Sequence, residues 1–142
     1  MWTAEINLVL AWVWLLLGFG SGMALGMGFH RENWLGGYGS HPRRLYRLAH
    51  ISFFGLGVVN LGFFLTVRAL GLGGAVVGVA SLAFVVGAVS MPICCVVMAH
   101  FPRGRMLFSV PVLSLLLGGA LMIQAVAQKA SPLRVSMTSS GL

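Results

Sequence analysis

The sequence predicts an all-α integral membrane protein, a bundle of four transmembrane helices in up-down-up-down order that forms one domain over residues 1–142. Three observations carry this. Charged residues make up 8% of the chain against 58% hydrophobic, where a soluble domain carries about a quarter charged. Four apolar runs, near residues 6–29, 42–70, 75–100 and 106–127, are each long enough to cross a hydrocarbon core of about 30 Å. The cations fall in the gaps between these runs. A net charge of +7 therefore sets orientation in a membrane, and nucleic acid is not an expected partner.

The first run starts near Ile6 without a basic segment before it and is longer than the apolar core of a signal peptide, so it reads as a mature transmembrane helix. Trp2, Trp12 and Trp14 lie in or before its first half, and Trp2 suits an interfacial anchor. Gly18, Gly22 and Gly26 follow at steps of four, a glycine zipper whose next step is His30. Small residues at this spacing let two helices approach closely in lipid, which makes these glycines helix-packing positions.

The loop from about Arg31 to Ser40 is rich in glycine, with Trp34 and Tyr38 at headgroup level. Ser40 or His41 is the expected cap of the second helix, and Pro42 falls in the first turn, where its missing N–H costs nothing. The Gly71–Gly74 turn is short enough to make the second and third helices antiparallel neighbours. Pro92 within the third helix leaves the carbonyl of Ala88 without its donor, a kink that a bilayer tolerates only if a neighbour supplies a partner. The fourth run begins near Met106, with Pro111 close to its start and Gly118-Gly119 inside it, and a polar tail occupies residues 128–142.

Basic residues decide the expected orientation. Arg31, Arg43, Arg44, Arg47, Arg103 and Arg105 lie on the side of the first and third loops, against Arg68, Lys129 and Arg134 on the other. This places both loops in the cytoplasm and both termini on the periplasmic side, in a bacterial inner membrane. His30, His41, His50 and His100 then share one face of the bilayer.

Chemistry is scarce. The chain holds two carboxylates, Glu5 and Glu32, and no phosphate-binding loop, zinc-protease or nucleophile-elbow motif. It is not expected to be an enzyme by itself. The candidate cofactor site is the histidine layer. His50 with His100 or His30 are the residue types that ligate b haem between helices. Gly22, Gly26 and Gly57 would give a porphyrin clearance, and Arg43, Arg44 or Arg103 would meet its propionates. Haem b, a pigment or a bound lipid are the groups such a layer would take. The plainer reading is that these histidines are interfacial residues whose polar heads reach water.

Met91, Cys95 and Met98 form a stripe of soft sulfur ligands on the third helix, a weak candidate for a metal because methionine and cysteine also serve as packing residues. Adjacent Cys94 and Cys95 do not suit an unstrained disulfide. Asn60, deep in the second span, requires a hydrogen-bond partner across a helix interface and is read as a packing residue; the Pro92-freed carbonyl and Ser81 are its candidate partners.

The function expected from these features is that of a small accessory subunit, packed through its glycine-rich helix and its tail against other membrane protein subunits and lipids. A Ser/Thr-rich tail is ordered only when it docks. The expected host is an electron-transfer assembly, respiratory or photosynthetic. The alternatives are a haem-binding cytochrome subunit and a small metal or solute carrier.

Overall fold

In the computed structural model, which describes residues 4–139, four helices follow one another: α1 (Glu5–Phe29), α2 (His41–Leu70), α3 (Ala75–His100) and α4 (Ser109–Ser139). Among the described residues there is no strand. Trp2, residues 140–142 and the side chains of Arg103, Arg105 and Arg134 lie outside what is described. All four helices are long and apolar enough to span a membrane, over Glu5–Phe29, His41–Leu70, Ala75–His100 and Met106–Ala130. The protein is an all-α, integral membrane bundle.

Each helix packs mainly on its neighbours in sequence, so α1 and α4 stand at the two edges of the bundle. The core lies between α2, α3 and α4, where Phe63, Val67, Val77, Ala80 and Phe84 are buried and Leu115, Leu121 and Met122 close over them. Phe63 and Phe84 meet with ring centroids 5.4 Å apart. Gly118 lies against the Phe84 ring and Gly87 against Leu115, so small residues set the close approach of α3 and α4.

The helix ends follow from local chemistry. Ser40 caps α2 by accepting from the Arg43 backbone N–H at 3.3 Å, with Pro42 in the first turn. Gly71 closes α2 in the left-handed conformation, φ 59°, and Leu72 N–H returns to the Val67 carbonyl at 3.0 Å. Before α4 the chain runs as a 3-10 helix over Pro102–Phe108. The regular helix starts at Ser109, three residues later than the apolar run suggests, because Pro111 has no N–H to give to Leu107. That helix also continues past residue 127 to Ser139. Gln128, Lys129 and Ala130 are strong helix formers, and polarity alone does not end a hydrogen-bond ladder.

Pro92 in α3 and Pro111 in α4 each free a carbonyl, and each of these two carbonyls is answered from a neighbouring helix. The Trp14 indole Nε1 on α1 donates to Ala88 O at 3.1 Å, and the Cys94 Sγ on α3 donates to Leu107 O at 3.3 Å. In hydrocarbon no water is present to do this, so the side chains restore what the prolines remove.

Candidate functional site

Toward the terminal end of the bundle three helices are joined by buried polar side chains. Asn7 on α1 and Asn60 on α2 have no exposed surface, and Ser81 on α3 is 1% exposed. Asn7 Nδ2 donates to Asn60 Oδ1 at 2.8 Å and to Ser81 O at 3.4 Å, while Ser81 Oγ donates to Asn7 Oδ1 at 2.5 Å. Asn60 Nδ2 completes the set on Leu56 O at 2.8 Å. Each side-chain nitrogen and oxygen of this cluster has a partner within it or on a neighbouring carbonyl, and these bonds hold the helices together. Asn60 carries its own signal in the sequence, an amide in an apolar span. Asn7, so near the start of the first run, does not stand out.

At the opposite end lie the histidines. His50, half-buried on α2, has its Nδ1 3.0 Å from Ser21 Oγ on α1. The Ser21 hydroxyl donates to Gly18 O at 3.0 Å. The imidazole stands edge-on to Phe54, centroids 5.4 Å apart. His100, exposed at the end of α3, has Nε2 2.9 Å from the Tyr46 hydroxyl on α2. His50 and His100 therefore stand in separate hydrogen-bonded pairs, and His30, exposed at the end of α1, joins neither pair among the described residues.

The glycines of this end face the chain itself. A Cβ on Gly22 would stand 2.8 Å from His50 Cε1, and one on Gly18 would stand 2.8 Å from the Phe54 ring. Gly57 lies against α1, with Ala11 O 3.2 Å from its Cβ position. Gly26 is exposed and has nothing within 4 Å. The space at Gly22 and Gly57 is thus taken by His50 and by α1, and that at Gly26 stays open.

Between the α1 end and the start of α2 sits an arginine enclosed by rings. Arg43 is 4% exposed, and its guanidinium carbon lies 5.1 Å from the Phe29 ring centroid, 5.8 Å from that of Trp34 and 5.1 Å from that of Tyr38. Arg47, one turn further, lies 5.3 Å from the same Tyr38 ring. The loop that carries the rings is bent tightly: Leu35, Gly36 and Gly37 have φ of 54°, 82° and 92°. For a leucine this is a costly conformation. Ser40 Oγ holds it by donating to Leu35 O at 2.5 Å while capping α2. The sequence marks Arg43, Arg44 and Arg47 alike as interfacial; the loop singles out Arg43.

Of the sulfur stripe on α3, Cys95 is fully buried while Met91 and Met98 are half-buried. Cys94 and Cys95 are free thiols. Among the described residues no three His, Cys, Asp or Glu side chains are grouped to hold a metal. A cleft of about 790 Å³ at the terminal end is bordered by Glu5 and Arg68, whose charges lie 3.8 Å apart. Comparison with protein-family models, with curated proteins and with solved structures finds no match for this chain.

Proposed function

We propose that this chain is a small, non-catalytic membrane subunit that packs against other membrane proteins through α1. The observation that carries the reading is the uneven use of the small residues on that helix. Gly18 and Gly22 take up Phe54 and His50 of α2, whereas Gly20 and Gly26 have nothing within 4 Å. Around Gly20 runs an apolar groove of about 520 Å³, lined by Leu16, Phe19, Met23 and Phe53. Open small residues beside bulky ones offer a second transmembrane helix the close contact that drives association in lipid.

The polar groups support the same reading from the other side. Asn7, Asn60, Ser81, Trp14 and Ser21 are engaged in holding α1, α2 and α3 together. An electron-transfer assembly is the first class of host to test. Orientation with both termini on the periplasmic side belongs to the same proposal and rests on the loop arginines.

The deciding experiment is solubilisation of the native membrane in a mild detergent, followed by sizing, subunit identification and an absorption spectrum. Co-migration with larger subunits supports the proposal, and redox-active bands in that fraction support the electron-transfer host. A chain that migrates alone would overturn it. A Soret band that shifts on reduction of the isolated chain would replace it with the cytochrome reading.

A further inference from the structure

We propose that Arg43 and Arg47, framed by Phe29, Trp34 and Tyr38, form a receptor for a phosphate-bearing anion at the membrane surface. The inference is independent of the subunit reading, since it concerns the isolated chain.

Arg43 is badly placed by every ordinary measure. It is 4% exposed, and an arginine is almost never buried this far unless paired. It occupies the first turn of α2, where the helix dipole is positive and disfavours a cation. Its Nε is fully buried without a hydrogen-bond partner, although an unmet buried donor is costly, more so on a charged group. Arg47 stands one turn along the same helix and shares the Tyr38 ring, and like charges at this spacing repel. No carboxylate relieves the pair: Glu5 lies at the other end of the bundle beside Arg68, and Glu32 is exposed and makes no ion pair with Arg43 or Arg47 among the described residues.

The three rings compensate in part, because a guanidinium is attracted to an aromatic face. They offer no acceptor to its five N–H groups. What remains unmet is the buried Nε–H of Arg43, held in the first turn of a helix. A tetrahedral anion with several oxygens answers this, through forked N–H contacts from the guanidiniums and the favourable end of the dipole. The rings also fix the depth. Tryptophan and tyrosine sit at the headgroup level of a bilayer, which is where lipid phosphodiesters lie. The costly turn at Leu35, held by Ser40, fits the same account, since backbone strain concentrates where a ligand site must be shaped.

The shared chemistry is a phosphate oxyanion, and its source is either the headgroup of an anionic lipid or free phosphate. The test uses the full chain in a neutral detergent, with thermal unfolding followed by intrinsic fluorescence. Three additions are compared at constant ionic strength: dioleoylphosphatidylglycerol, dioleoylphosphatidylcholine and inorganic phosphate. Stabilisation by phosphatidylglycerol beyond phosphatidylcholine, with none from inorganic phosphate, assigns a lipid headgroup. Stabilisation by inorganic phosphate assigns the free anion.

In either case R43Q and R47Q each weaken the response roughly tenfold or more, R43K weakens it because the fork is lost, and R68Q leaves it unchanged. Where R43Q gives no folded protein, R47Q and native mass spectrometry of the unaltered chain decide, with phosphatidylglycerol adducts expected to outnumber phosphatidylcholine adducts. Equal responses to all three additions, equal adducts of the two lipids, or a full response in R47Q would overturn the proposal.

Discussion

The indole Nε1 of Trp14 donates at 3.1 Å to the carbonyl of Ala88, the group that Pro92 leaves without its helical donor. A residue on α1 thus completes the backbone of α3, although α1 otherwise packs mainly on α2. Replacing Trp14 by Phe keeps most of the ring contact with Phe53 but removes the donor. The variant should lose about 1 kcal/mol or somewhat more, the usual cost of an unmet buried acceptor. Pro92→Ala restores a donor within α3, so W14F should cost much less in that background. A double-mutant cycle of unfolding in mixed detergent–SDS micelles measures this coupling. Equal cost of W14F with and without Pro92 would refute the assignment.

The cluster of Asn7, Asn60 and Ser81 makes a similar prediction of coupling, without a proline. Asn60→Leu keeps the volume and strands Asn7 Nδ2 with only the longer contact to Ser81 O. Interhelical hydrogen bonds in membranes contribute about 0.6 kcal/mol on average and up to about 1.7, and a wholly buried set belongs at the upper end. N7L and N60L should each cost roughly 1–2 kcal/mol, and the double variant less than their sum. Chemical unfolding of the three variants checks this, and strict additivity would show that the side chains act separately.

The class and the four spans are legible in the sequence because apolar length is a property of consecutive residues. So is the need of Ala88, which the proline rule names by position, and the need of Asn60, which its apolar neighbours reveal. The answering groups are another matter. Trp14 is separated from Ala88 by 74 positions, and its amphipathic ring reads equally well as an anchor. Arg43 and Arg44 are adjacent and chemically identical, yet one is buried and the other exposed. Arg43 lies on the side of α2 that meets Phe29, Trp34 and Tyr38, and the loop carrying two of those rings turns through a positive φ at Leu35, a conformation no rule assigns to a leucine. The start of α4 shows the same division: Pro111 predicts a defect, but not that Cys94 fills it.

The glycines of α1 and α2 separate stability from assembly. Gly18 is buried against the Phe54 ring, and Gly57 faces the backbone of α1 at Ala11. A backbone carbonyl cannot rotate away, so Gly57→Leu should destabilise the chain by about 1–3 kcal/mol, with Gly18→Leu in the same range. Gly26 has nothing within 4 Å, and Gly26→Leu should unfold like the unaltered chain. If α1 is the face that meets a partner, G26L should still reduce co-purification with that partner. A G26L chain that is stable and fully assembled would remove Gly26 from the interface.

The alternation of the helices gives the last prediction, which cysteine labelling reads directly. In a background of Cys94→Ser, which keeps a donor for Leu107 O, and Cys95→Ala, single cysteines are placed at Arg44, Phe101 and Gly73, all exposed. Arg44 precedes the body of α2 and Phe101 follows α3, so both belong to one end of the bundle, while Gly73 lies in the turn at the other. An impermeant maleimide added to intact cells should therefore treat R44C and F101C alike and G73C oppositely. With the loop arginines on the cytoplasmic side, G73C is the one labelled from outside. Labelling of R44C and F101C from opposite faces would break the alternation itself, whereas labelling of both from outside would reverse only the orientation. The two failures are thus distinguishable in one experiment, because the first depends on span count and the second on the distribution of positive charge.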